Sequence, residues 1–137
     1  SLLNFKTEEK IKSLFDIVGN NIKKKRYEIN INGKRLGTRD GTPERDFIHI
    51  QDLCEIHKKI HKYLKNNRKV ILNCGSGKRY SVLQVINTFE KNIGRKFKIS
   101  YKITNTNETE TICSDTNKLK MLTKIRIKKN NLNASGL

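Results

Sequence analysis

Leu36-Gly-Thr-Arg-Asp-Gly-Thr-Pro-Glu-Arg-Asp-Phe-Ile-His-Ile-Gln-Asp52 decides how this chain is read. Gly37, Asp40-Gly41 and Pro43, the only proline of the sequence, mark its first half as turn chemistry. Phe47, Ile48, His49 and Ile50 then form a short apolar alternation, expected to enter a buried strand, and Asp52 is placed to cap a following helix. A compact loop that aims one arginine, Arg45, outward before the chain turns inward suits capture of a phosphate or carboxylate. A guanidinium pairs with two such oxygens at once. The alternative at the same residues is an Arg45–Asp46 surface pair of little energetic weight.

Working upstream, residues 8 to 23 read as an amphipathic helix, because Ile11, Leu14, Phe15, Val18 and Ile22 recur at intervals of three and four. Thr7 is expected to cap it, with Glu8 and Glu9 in the first turn and the basic run Lys23-Lys24-Lys25-Arg26 at its end, where the helix dipole favours cations. Tyr27 to Ile31 alternates as a strand and stops at the turn signal Asn32-Gly33.

Downstream, Asp52 to Leu64 carries the stripe Leu53, Ile56, Ile60, Leu64 of a second helix, with Lys58, Lys59 and Lys62 facing water. His57 and His61 share a face at the spacing of a metal pair. Lys58 stands where the glutamate of a zinc-protease motif belongs, and cationic neighbours oppose a metal ion, so no metal is expected. Lys69 to Asn73 reads as a short buried strand. Gly75-Ser76-Gly77-Lys78 then turns into a third helix, capped by Ser81 with Gln84 and closed by Gly94, whose stripe is Val82, Val85, Ile86, Phe89, Ile93. The turn is not a phosphate-binding P-loop: Leu72 occupies the first glycine position and Arg79 the Ser/Thr position. Residues 97 to 103 alternate as a strand, Thr104 to Thr111 is a polar loop, and Asp115 is expected to cap a short helix packed by Leu119, Met121 and Leu122. The pattern predicts a mixed α/β fold with three main helices and about four strands, one domain over residues 1–127, and a solvated tail over 128–137.

Two blocks carry a family resemblance. Asp40-Gly41-Thr42, Arg45-Asp46-Phe47-Ile48-His49-Ile50 and Asp52-Leu53 together resemble the signature of UDP-glucose 4-epimerases. Leu72-Asn73-Cys74-Gly75-Ser76-Gly77 with Tyr80-Ser81-Val82-Leu83-Gln84-Val85-Ile86 is similar to a second segment of that family. The resemblance runs over roughly residues 14 to 122 and corresponds to the C-terminal, substrate-recognising part of an NAD-dependent epimerase of galactose metabolism, an extended short-chain dehydrogenase. It implies a UDP-sugar ligand, with Arg45 on the diphosphate, Phe47 on the adjoining wall, and Ile29, Asn30 and Asn32 flanking the uracil, partly through backbone groups.

The resemblance also implies what these residues do not carry. None of Tyr27, Tyr63, Tyr80 and Tyr101 is followed four residues on by lysine, and the glycine turn that holds NAD in the family has no counterpart. No cofactor is therefore expected on this chain, and no catalysis by it alone. Where the family places a second diphosphate arginine, before its last helix, this chain has Asn105 and Glu108, with Ile112 nearby. Loss of such a charged hydrogen bond costs ~1.5–3 kcal/mol, one to two decades of affinity. In the family the strand matching Val70 to Asn73 joins a larger sheet, so an unpartnered edge, and with it self-association into a homo-oligomer, is expected.

Composition sets the remaining bounds. Thirty Lys and Arg against thirteen acids give a formal charge of +17, which favours non-specific polyanion binding. The wealth of Lys, Asn and Ile beside a single alanine, Ala134, is also what A/T-biased codon usage produces. No apolar run approaches the ~18–20 residues of a membrane span, and no signal peptide is read at the N-terminus. Cys54, Cys74 and Cys113 lack paired spacing and read as reduced thiols of a cytoplasmic protein. The rival readings are part of another nucleotide-sugar dehydratase or reductase, a basic nucleic-acid-binding module, and a remnant that only supports oligomer formation.

Overall fold

The computed structural model describes residues 13–66, 69–102 and 109–128. The expected first helix starts later than its periodicity suggested. Ser13 adopts an extended conformation and caps α1 (Leu14–Lys23), its hydroxyl accepting from the Asp16 amide while the Asp16 carboxylate accepts from the Ser13 amide. Thr7, Glu8 and Glu9 lie outside the described residues. The strand after α1 is β1 (Glu28–Asn32), with Ile29 and Ile31 turned into the core and the polar residues between them turned out.

The apolar alternation 47–50 does not become a strand. The strand is instead the preceding Glu44–Asp46, β2, and Ile50 is 64% exposed at the start of α2 (Ile50–Leu64). Its cap is His49, whose Nδ1 accepts from the Gln51 amide at 3.1 Å. Asp52, expected as the cap, sits inside the first turn, buried, and accepts from the Lys128 amide. A carboxylate in the first turn still favours the helix through its dipole.

Beyond α2 come β3 (Arg79–Ser81), α3 (Val82–Ile93), β4 (Lys98–Lys102), β5 (Thr111–Ile112) and α4 (Asn117–Thr123). α3 follows its sequence signals throughout: Ser81 and Gln84 form the capping box and Gly94 ends it at φ 64°. α4 is preceded by Thr116 rather than Asp115 at the cap position, though Asp115 Oδ1 accepts from the Asn117 amide at 2.9 Å. Met121, expected to pack, is 71% exposed, and Leu119 alone of the expected packing residues of α4 is buried.

Four helices and five strands are thus present among the described residues, in two small sheets. β1 and β4 pair in parallel, Glu28 opposite Lys98 through Asn32 opposite Lys102. In the second sheet β2 is central, antiparallel to β3 and parallel to β5. α1 and α3 cover one face of the β1–β4 pair around Val18, Ile29, Ile31, Val85, Ile86, Phe89 and Phe97. A second, smaller core joins Ile56 of α2 to Leu119 and Ile125. Residues 69–73, read from sequence as a buried strand, pair with no strand among the described residues, and Ile71 is 88% exposed. The apolar run is there, but nothing among the described residues supplies a ladder for it.

Candidate functional site

β2 is three residues long, and successive side chains of a strand point to opposite sides. On one side lies Asp46. Its carboxylate accepts from the Ser76 amide at 2.8 Å, the Ser76 hydroxyl at 2.5 Å, the Gly77 amide at 3.0 Å and the Ser114 amide at 3.2 Å. The glycine-rich turn therefore is an anion cradle, and an internal carboxylate fills it. Burial alone pushes the Asp46 pKa up. The hydrogen bonds from Ser76, Gly77 and Ser114 outweigh that and hold it below the ordinary aspartate value. Gly75 has no space for a Cβ, which would fall against the Asp46 carboxylate and Ser114.

On the other side lies Arg45. Its Nη1 donates to the carbonyls of Glu44 at 2.8 Å, Thr109 at 2.9 Å and Glu110 at 3.4 Å, which fixes the guanidinium against the segment leading to β5. Beside it is a cavity of about 180 Å³. Asn30, Asn32 and Arg45 supply its polar lining, while Leu14, Ile17, Pro43 and Val82 supply an apolar wall. Small-molecule pockets usually enclose ~300–1,000 Å³, so this space suits part of a sugar nucleotide rather than the whole of it.

The other two sequence-derived candidates sit in the core. Ile29 of β1 is buried, and the half-buried Phe47 ring packs edge-on against Phe15 with centroids 5.3 Å apart. Neither lines the cavity; both support the elements that do. Asn105 and Glu108 lie outside the described residues, and Ile112 stands opposite Arg45 in the β2–β5 ladder.

The turn residues of the signature loop have an internal task that sequence reasoning missed. Asp40 accepts from the Ser81 hydroxyl at 2.5 Å, the Thr42 hydroxyl at 2.7 Å and the Thr42 amide at 3.0 Å. Buried Thr42 in turn accepts from the Leu83 amide, and Pro43 O accepts from the Val82 amide. The loop is latched to the N-terminus of α3, which sets where β2 begins and so where Arg45 projects. The spacing of Asp40 and Thr42, an Asx turn beside the predicted cap Ser81, was the available signal.

Elsewhere, His57 and His61 are exposed on α2, and His57 Nδ1 lies 2.8 Å from the Leu53 carbonyl oxygen. No group of three or more metal-ligating side chains occurs among the described residues. No helix among them is long and apolar enough to cross a membrane.

Comparison with known proteins matches residues 4–75 to the NAD dependent epimerase/dehydratase family. UDP-glucose 4-epimerase of Homo sapiens is 40% identical over 80 residues, 58% of this chain and 22% of that protein. The enzyme of Bacillus subtilis is 39% identical over 70 residues, 50% of this chain and 21% of that protein. Among solved structures, the UDP-Glc/GlcNAc 4-epimerase of Campylobacter jejuni superposes with a TM-score of 0.79 at 27% identity, covering 98% of this chain and 43% of that one. A Stenotrophomonas maltophila UDP-glucose-4-epimerase with bound NAD and formylated UDP-arabinopyranose gives a TM-score of 0.80 at 24% identity, over 90% of this chain and 37% of that one. The matched segment is thus about a fifth of the curated relatives' length and under half of the structural ones. The fold is that of part of such an enzyme, and the chain belongs to the NAD dependent epimerase/dehydratase family.

Proposed function

We propose that residues 1–127 form the UDP-hexose-recognising part of a UDP-glucose 4-epimerase-like protein, with 128–137 as a tail. Arg45 pairs with the diphosphate, Asn30 and Asn32 flank the uracil, and Ile29 and Phe47 hold those groups from behind. The observation that carries the reading is the meeting of Arg45, Asn30 and Asn32 on one cavity, from two strands in different sheets. It is supported by the Bifidobacterium longum UDP-glucose 4-epimerase, solved in complex with NAD+ and UDP, which is 25% identical with a TM-score of 0.66. In calorimetric titrations Arg45→Ala is expected to weaken UDP binding about 10- to 100-fold, the worth of a charged hydrogen bond, while leaving uridine binding within about twofold. No UDP binding by the parent chain at millimolar concentration, or equal binding by both proteins, overturns the reading.

NAD does not fit the glycine-rich turn of this chain, because the amides of Ser76 and Gly77 already serve Asp46. With no Tyr-x-x-x-Lys pair in the sequence either, the chain alone is expected to give no turnover of UDP-galactose in the presence of NAD. Sustained UDP-glucose formation above a protein-free control refutes this.

The exposed Ile71 side chain and the apolar groove of about 160 Å³ between Ile56, Ile60, Val70 and Leu72 support self-association as the state of the isolated chain. Sedimentation velocity is expected to show a concentration-dependent dimer that Ile71→Lys weakens. A sharp monomer at the highest concentration contradicts it. Exposed free thiols at Cys54, Cys74 and Cys113 favour a reducing, cytoplasmic setting.

A further inference from the structure

Four carboxylates of this chain are engaged inside the fold, which leaves its surface richer in cations than in anions. Asp40 and Asp46 are saturated by hydroxyls and amides, Asp52 is buried under the Lys128 amide, and buried Glu90 accepts from the Phe97 amide and from Lys96. The second half of α2 shows the consequence. His57, Lys58, Lys59, His61, Lys62 and, just past the helix, Lys65 are all exposed. Lys58, Lys62 and Lys65 recur at four and three residues, so they form one cationic row along the helix, with Lys59 one residue beyond its first member. Successive members are separated by about 4.5–6 Å along the axis. Glu55 is the only acid exposed on this helix, and Lys58 is its ion-pair partner.

Three alternatives to a regular phosphate lattice are disfavoured by the same face. Ile56 packs on Leu119 and Ile125, and the exposed row Lys58, Lys62, Lys65 carries no apolar side chain, so this face of α2 presents no apolar stripe to lay into lipid. Leu64, 39% exposed, is the one large apolar side chain that this stretch shows, which is not the aromatic anchor set of a protein partner. Tyr63 is half-buried, so no aromatic platform is offered on which single-stranded bases stack.

We propose that the exposed face of α2 from His57 to Lys65 docks on the phosphate backbone of duplex nucleic acid without reading its sequence. Duplexes present one charge per ~3.4 Å along each strand, dense enough for phosphates to meet Lys58, Lys62 and Lys65 of this helix at once. The surface shares no residue with the Arg45 cavity, so it stands or falls separately from the sugar-nucleotide reading.

The test is fluorescence anisotropy of a labelled random-sequence DNA duplex of about 20 base pairs, titrated with the full chain between about 50 and 200 mM salt. Binding is expected at the lower salt, with log K falling by about three to four per decade of salt, as four lysines predict. Substituting Lys58→Gln, Lys62→Gln and Lys65→Gln together is expected to reduce that slope by about three and the low-salt affinity at least tenfold. A variant of equal net charge, Lys23→Gln with Lys24→Gln and Lys25→Gln, is expected to stay within about threefold of the parent. Circular dichroism and the urea midpoint of both variants serve as folding checks, since the substituted lysines are exposed. The proposal fails if the duplex is not bound at about 50 mM salt. It fails too if both triple variants lose equally, which makes total charge the cause. Tighter binding to single strands or to phosphatidylserine vesicles than to the duplex also overturns it.

Discussion

Asp46→Ala is expected to lower the stability of this domain by about 3–5 kcal/mol. The substitution removes a small, half-buried side chain, so lost apolar burial explains almost none of that figure. The cost arises from the donors left behind: the amides of Ser76, Gly77 and Ser114 lose their acceptor together, and the Ser76 hydroxyl keeps only the Lys78 carbonyl at 3.3 Å. Each stranded buried donor costs about 1–3 kcal/mol, with the lower end applying here because water can reach part of the site. Against the ~5–15 kcal/mol that holds a typical domain folded, this is a large fraction. Urea denaturation measures it as a fall in midpoint at unchanged slope. A loss under about 1 kcal/mol means that water replaces the carboxylate and that the cradle is not an anchor.

The same residue sets a pH dependence. Its pKa in the folded chain lies below the unfolded value, so ionisation favours the folded state. That contribution is complete above the unfolded aspartate pKa, near ~3.9, and is lost as pH falls through the lower folded value. Asp40 and Glu90 are shifted the same way, each pushed up by burial and pulled further down by hydrogen bonds, from Ser81 and Thr42 to the former and from Lys96 and Phe97 to the latter. Asp46→Asn is accordingly expected to flatten the acid limb of the stability curve without abolishing it.

The second large effect is expected at Gly41→Ala, about 2–4 kcal/mol destabilising. Gly41 sits at φ 76°, where an alanine is strained by ~1–2 kcal/mol before any contact is considered. Its Cβ would also overlap the Lys34 carbonyl oxygen and approach the Lys34 carbonyl carbon to 3.0 Å. Those are backbone atoms and cannot swing aside, so the turn itself must shift, taking Asp40 and Thr42 off the N-terminus of α3. Gly19→Ala provides the opposite sign within the same protein. Gly19 lies inside α1 with nothing within 4 Å of its would-be Cβ, and alanine there is expected to add about 0.5–1 kcal/mol. Equal midpoints for the two variants rule out the strain argument at Gly41.

Local signals predicted local structure well. Ser81, Gln84 and Gly94 delimit α3 because caps act within one turn and need no tertiary help. Residues 69–73 show the other case: an apolar run states that burial is wanted but not by what, and among the described residues no strand answers it. His49 caps α2 although Asp52 has the stronger intrinsic preference, because the buried Asp52 carboxylate is engaged by the amide of Lys128, far along the chain. The Arg45–Asp46 pair looked from sequence like either a ligand site or an idle surface pair. Strand geometry divides it, sending the carboxylate to the Gly75–Gly77 turn and the guanidinium to the cavity. Only the fold reveals that the glycine-rich turn, rejected as a phosphate loop on spacing, is an anion cradle already occupied by the chain itself.

The parallel pairings have a kinetic consequence. β1 meets β4, and β2 meets β5, across intervals of about seventy residues. Closing loops of that length costs chain entropy before any ladder hydrogen bond returns it, and contacts so distant in sequence slow the search for the native state. During synthesis α1 and β1 must therefore wait, amphipathic and unpaired, until the chain beyond residue 98 has left the ribosome. Order in this molecule comes late and nearly all at once, and its greatest exposure to misassembly lies in that interval.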